Sequence, residues 1–234
     1  MPENDLETVL RVEGLNLAND AEAAQFNWQI TLSENELTVV ASHHQGDDTY
    51  AVLHDSSMTW DLPGSPQYLA VHIDRNEATG TFRYASERLP LVPLAQQWLV
   101  ARGCSVSALR ARTDLGPEAA DTKTATLEAK LAASPGRYEI LDHYTDDVTN
   151  YETTVLVRDH HPTAAQRPFR VLVEKWDFDA NRYTLREGCF ADAVQAGEWL
   201  EDRDTPLPEP TVIPSAPARQ QLPGIASRPS GPRR

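Results

Sequence analysis

Phe169-Arg170-Val171-Leu172-Val173-Glu174-Lys175-Trp176 opens the stretch that decides the fold. Aromatic and β-branched residues dominate it, as a pleated, half-buried strand prefers. Asp177-Phe178-Asp179-Ala180-Asn181 is turn chemistry, because Asp and Asn tolerate left-handed dihedrals and bond their own backbone. Tyr183–Glu187 alternates again and predicts the returning strand, which Gly188 ends. Phe190, Ala193, Val194, Gly197 and Leu200 follow at spacings of three and four and predict one face of a helix. Trp199 flanks that face. A helix this short cannot stand alone in water, so its stripe should pack on the hairpin.

Tyr68–Leu99 repeats the order about a hundred residues earlier. Leu69, Val71 and Ile73 alternate, 74–80 turns, and Phe82-Arg83-Tyr84 returns. Leu91, Leu94, Ala95, Trp98 and Leu99 then form a helical stripe, with Pro90 and Pro93 suited to a helix start. Both helices end on Trp-Leu. At an offset of 101 residues only Ala95/Ala196, Trp98/Trp199 and Leu99/Leu200 are identical, so a repeat rests on element order rather than on identity.

Between these units the alternation of Phe26-Asn27-Trp28-Gln29-Ile30-Thr31-Leu32-Ser33 predicts a strand. Val9–Glu13 reads as a further strand and Asn19–Gln25 as a short helix. Leu37–Ser42 and Tyr50–His54 read as strands, and 61–66 is a breaker cluster. Ala108–Arg112 suggests a short helix, and the junction between halves falls at 116–121. A helix carrying Leu127 and Leu131 follows, then strands at Tyr138–Asp147 and Tyr151–Asp159. The second half thus reads helix–four strands–helix, with its helices expected on one face of the sheet. The expected class is α+β: two similar antiparallel sheet-plus-helix units, 1–116 and 117–204, before a Pro-rich tail from 205 predicted to be disordered.

The chain has 234 residues, enough for two small domains with a real core. Its basic residues are almost all Arg, a coding bias that suggests a GC-rich, bacterial genome. The formal charge is −14, and the tail is basic, so residues 1–204 carry −17. A body this acidic repels phosphate backbones and anionic membranes and attracts basic partners. Met1–Glu7 is acidic and no apolar run approaches a membrane span, so the expected location is cytoplasmic, with Cys104 and Cys189 as reduced thiols.

No cofactor loop is present: P-loop, G-x-G-x-x-G and G-x-S-x-G patterns are all missing from the sequence. Asp177-x-Asp179-x-Asn181 mimics the start of a calcium loop but has Arg182 where glycine and Gly188 where glutamate is required. His43-His44, Asp142-His143 and Asp159-His160-His161 lack metal spacing, and His143 should lie far along the sheet from His160. No metal or cofactor is expected.

In the second sheet Val155, Val157, Val171, Val173 and Leu185 are expected on one side. The opposite side would receive Glu152, Arg158, Arg170, Glu174, Arg182 and Arg186 together with Leu156, Leu172 and Trp176. An apolar strip within a charged face needs a cover, either the chain's own first half or a partner. The expected function is therefore a non-enzymatic interaction protein whose contact surface is Leu156, Arg158, Leu172, Trp176 and Arg186. The alternatives are an acidic, immunity-type inhibitor of a basic partner, and a hydrolase using His143, His160 and His161 with their Asp neighbours.

Overall fold

A computed structural model describes residues 6–60, 64–109 and 117–210. The expected α+β class is observed, as two sheet-plus-helix units of the same design. Each opens with a two-residue edge strand and a helix, continues through a four-strand antiparallel meander, and closes with a second helix. In the first unit these are β1 (Asn16–Leu17), α2 (Asp20–Phe26), β2 (Leu37–Gln45), β3 (Asp48–Asp55), β4 (Tyr68–Asn76), β5 (Thr81–Leu89) and α3 (Val92–Val100), preceded by α1 (Leu6–Leu10). In the second they are β6 (Glu118–Ala119), α4 (Thr122–Ala132), β7 (Tyr138–Asp146), β8 (Glu152–Asp159), β9 (Phe169–Asp177), β10 (Arg182–Phe190) and α5 (Ala193–Glu201). The sheet orders correspond, β1-β5-β4-β3-β2 and β6-β10-β9-β8-β7, each with its short edge strand parallel to the last strand of the meander.

The correspondence is close at the level of single residues. β2, β4, β5 and α3 are each offset by 101 residues from β7, β9, β10 and α5. The ladder irregularity at Val39/Ala41 recurs at Ile140/Asp142 with the same offset. β1 and α2 start 102 residues before β6 and α4, and β3 starts 104 before β8, because the turn before β8 is three residues longer and the connection after it three shorter. Identity is low, yet backbone geometry is kept, since a pleated, buried surface constrains polarity and volume more than side-chain type.

How the units stack follows from strand parity. In β4, Leu69, Val71 and Ile73 lie under the first-unit helical layer with Leu6, Leu10 and Ile30, whereas Tyr68 and Ala70 face α3. In β9, the equivalents Arg170, Leu172 and Glu174 face the α4 side, and Val171 and Val173 pack toward α5. The back of the first unit therefore meets the front of the second, and α3 and α4 share the middle layer. The order is helices, sheet, helices, sheet, helix. One continuous core joins Tyr50, Val52, Leu91, Leu94 and Leu99 of the first unit to Leu127, Leu131, Val155, Leu172 and Leu185 of the second. Helices thus cover both faces of the second sheet, rather than the single face expected.

Several local expectations are corrected. Residues 26–31 are helical and 32–33 turn: α2 runs into a π-helical turn over Asn27–Thr31. Their alternation also satisfies an i, i+4 pattern, with Phe26 against Phe82 and Tyr84, Ile30 buried, and Trp28 and Leu32 outward. The Asn19 side chain caps the Glu22 amide at 2.9 Å and starts that helix. The Val9–Glu13 strand is absent, because Leu6 and Leu10 are buried one turn apart on α1. The expected 108–112 helix and the 61–66 breaker fall partly outside the described residues, as does the tail beyond 210. Residues 205–210 do not hang free as expected: Leu207 covers Gly188, Cys189 N donates to Pro208 O at 2.9 Å, and Lys123 pairs with Glu209.

The 56–67 connection of the first unit reaches across to β7. Gly64 N donates to Thr145 O at 3.1 Å, and Thr59 and Gln67 both donate to Asp147 Oδ2, at 2.5 and 2.8 Å. Gly64 has φ +89°, and a Cβ there would lie 2.6 Å from the Tyr144 ring. Gly64→Ala should therefore cost about 1–3 kcal/mol in urea unfolding. Adding Tyr144→Ala should return only part of that loss, since the backbone strain stays.

Candidate functional site

Stacking the units back to front leaves a cavity of about 730 Å³ between them. β2–β4 and α3 supply Val40, His54, Tyr68, Val92 and Pro93; α4 supplies Ala125, Glu128 and Ala129; β9 and β10 supply Glu174, Trp176 and Tyr183. The size and the apolar walls with few polar groups are those of a ligand pocket. The repeat explains why carboxylates are there. Glu174 occupies the position of the buried Ile73 in the first unit, so the same backbone site carries a core residue once and an acid once.

Glu174 is only 4 % exposed. Its Oε1 accepts from Trp176 Nε1 at 2.8 Å, and among the described residues no donor meets Oε2. Burial raises its pKa to about 7, helped by the nearby Glu128 charge and opposed by the Trp176 hydrogen bond. Burial likewise raises Glu128, although the Tyr183 hydroxyl donates to its Oε1 at 2.5 Å. Tyr68 and Tyr183 are both held as neutral phenols, first by burial; carboxylate charge adds to this in each, and in Tyr183 the hydrogen bond to Glu128 does too. Burial also lowers His54, whose ring lies 5.5 Å from that of Tyr68. The result is an aromatic-walled chamber with two carboxyls of raised pKa at its wall.

Trp176 stands between this chamber and the surface. It lines both the cavity and an outer groove of about 990 Å³ formed with Tyr151, Phe178, Arg182 and Tyr183. Its ring lies 5.7 Å from Phe178 and 6.1 Å from Tyr183, and Phe178 meets Tyr151 edge-on at 4.8 Å. Phe178 and Tyr151 are exposed.

The five residues expected to form one contact surface divide between both faces of the sheet. Leu172 pairs with Val155 and Trp176 with Tyr183, on the inner face, while Leu156, Arg158 and Arg186 pair with Val171, Phe169 and Val173 on the outer face. The expected parity is off by one residue because odd positions of β8 and β10 oppose even positions of β9. Leu172 is fully buried in the joint core, and Leu156 packs beside Val171, Phe190 and α5. The chain itself covers the apolar strip. Arg186 is held by Asp121, the cap of α4, at 2.5 Å, and Arg158 is exposed. Arg170 and Glu174, expected in solvent, are buried. One signal for the cavity was present in the sequence: Glu174 lies between Leu172 and Trp176 at the same parity, a charge inside an apolar run.

The alternative histidine site does not assemble, as the expected separation of His143 from His160 implied. His143 Nδ1 donates to Gly64 O at 3.1 Å, His160 meets Glu139 at 2.9 Å, and His161 accepts from Thr163. β7 sets His143 against Val155 and Tyr138 against Asp159, about 17 Å apart along the strand. Among the described residues no group of three or more His, Cys, Asp or Glu could hold a metal ion. His72 Nε2 and Asp48 Oδ1, in hydrogen-bond contact at 2.7 Å with His72 stacked on Tyr50, form a pair that sequence reading did not single out. Both thiols are buried, and burial raises each, Cys104 to about 11, which makes them poor nucleophiles.

No helix is long and apolar enough to cross a membrane among the described residues. No protein-family model, curated protein or solved structure matches this chain.

Proposed function

We propose that this chain is an interaction protein that grips a partner polypeptide through the chamber between its two units and the aromatic groove that opens from it at Trp176. The observation that carries this reading is that Trp176 and Tyr183 line both spaces. A cavity of about 730 Å³ with unmatched polar groups would suit a single anchoring side chain, and exposed Phe178 and Tyr151 would rest on the partner's flanking residues. Anchor-in-pocket contacts of this kind concentrate binding energy in a few aromatic and charged groups. Of the residues expected to make contact, Trp176 stays in the proposal as the hinge between chamber and groove; Leu172 leaves it, being core.

A photo-crosslinking amino acid at Phe178 tests this. In extract of the native cell it should give a discrete adduct that a second substitution, Trp176→Ala, removes. The same probe at Val194, exposed on α5, should give none. Equal adducts at both positions, or no discrete adduct at Phe178, would overturn the proposal.

A further inference from the structure

We infer that the anchor received by this chamber is an arginine side chain of a basic polypeptide, its guanidinium stacked on the cavity-facing side of the Trp176 and Tyr183 rings and reaching the free oxygen of Glu174. The inference rests on the proposed function and names the partner's chemistry. Glu174 is nine-tenths buried, lines the cavity, and has one oxygen without a donor among the described residues. A second carboxyl, Glu128, lines the same space. No Lys or Arg among the described residues lines it. Such a site penalises an anion and rewards a cation that neutralises it.

Guanidinium fits better than ammonium. It is planar, weakly hydrated, and stacks on aromatic faces while donating in its plane to a carboxylate. The aliphatic stem of arginine would lie along Val92, Pro93 and Ala129. The −17 charge of residues 1–204 would bring a basic segment toward the groove, an effect on association rate more than on final affinity.

Binding should also release a proton. Among the described residues, the titratable groups that line the chamber with Glu174 are Glu128 from α4, Tyr183 from β10, Tyr68 from β4 and His54 from β3. Both tyrosines stay neutral and burial lowers the imidazole, so a carboxyl is the group that would ionise as the cation enters.

The test uses two synthetic peptides, acetyl-Gly-Phe-Arg-Phe-Gly-amide and the same peptide with citrulline, which keeps the shape of arginine and loses its charge. Calorimetric titrations are run on the full chain and on a form ending at Pro210, which lacks the four arginines beyond that point. The arginine peptide should bind at least tenfold tighter than the citrulline peptide, in one form or both. At pH 6.5 it should release most of one proton, read from buffers of different ionisation enthalpy. Glu174→Gln should abolish the preference and the proton release. Equal binding of the two peptides overturns the arginine assignment and leaves the chamber as a binding site. Failure of both peptides to bind in either form overturns the assignment and the binding reading together. Proton release is measured on the unmodified protein, so the inference stays open to refutation even if the variant folds poorly.

Discussion

Glu174→Gln should stabilise the protein by about 3 kcal/mol at pH 8 and by less than about 1 kcal/mol at pH 5. The carboxyl has an ordinary value of 4.5 and is raised to about 7 in the folded chain, chiefly by burial. Between those values the native state holds the proton that the unfolded state has lost. Stability from this group is therefore complete below pH 4.5 and is lost as pH rises through 7. Glutamine cannot ionise, and it keeps an oxygen for Trp176 Nε1. Urea unfolding at the two pH values reads the difference as a shift in midpoint at constant slope. A gain that does not change with pH, or no gain at pH 8, would show that Glu174 is not held where the fold places it. A residue whose removal stabilises the chain is one retained for another reason, which is the usual signature of a functional site. The same substitution is expected to lose the arginine preference, so stability and binding should move in opposite directions.

The opposite sign is expected at Asp159. Its carboxylate receives Arg137 in a two-point contact at 2.7 and 2.8 Å and Arg170 at 3.3 Å, and the His161 amide donates to it at 3.0 Å. Glu187 extends the network to Lys130 at 2.7 Å and to Arg170. Burial alone would raise the Asp159 pKa, but these donors outweigh it and hold it low. Its stability is thus present above the ordinary carboxylate range and is lost as pH falls. Asp159→Ala strands a buried guanidinium, and should cost about 3–5 kcal/mol in urea unfolding at pH 7. Replacing Arg137, Asp159 and Arg170 together by apolar residues should cost less than the single change, because most of the penalty is the abandoned charge. If the triple variant is the less stable of the two, the network contributes by attraction and not merely by mutual neutralisation.

These two carboxylates lie on the same side of one sheet and have opposite fates, which shows what pattern reading can resolve. The Phe169–Leu200 hairpin and helix, the matching Tyr68–Leu99 unit and the α4 stripe of Leu127 and Leu131 were legible, because each buries its face at a fixed local period. The π-helical turn at Asn27–Thr31 was not, since Phe26 and Ile30 satisfy both periods and only the Asn19 cap and the tertiary fit decide between them. Edge strands β1 and β6, two residues each, carry no period at all.

The amino-acid order by itself determined the α+β class and the two successive units, since hydrophobic alternation, turn residues and caps act over a few neighbours. Only the tertiary structure decided which face of the second sheet is sealed, that Leu172 belongs to the core, and that Glu174 and Glu128 share a chamber with Trp176. Those outcomes depend on strand register and on one unit stacking behind the other. A register change of a single residue moves every side chain to the opposite face, and no local signal in the chain records that choice.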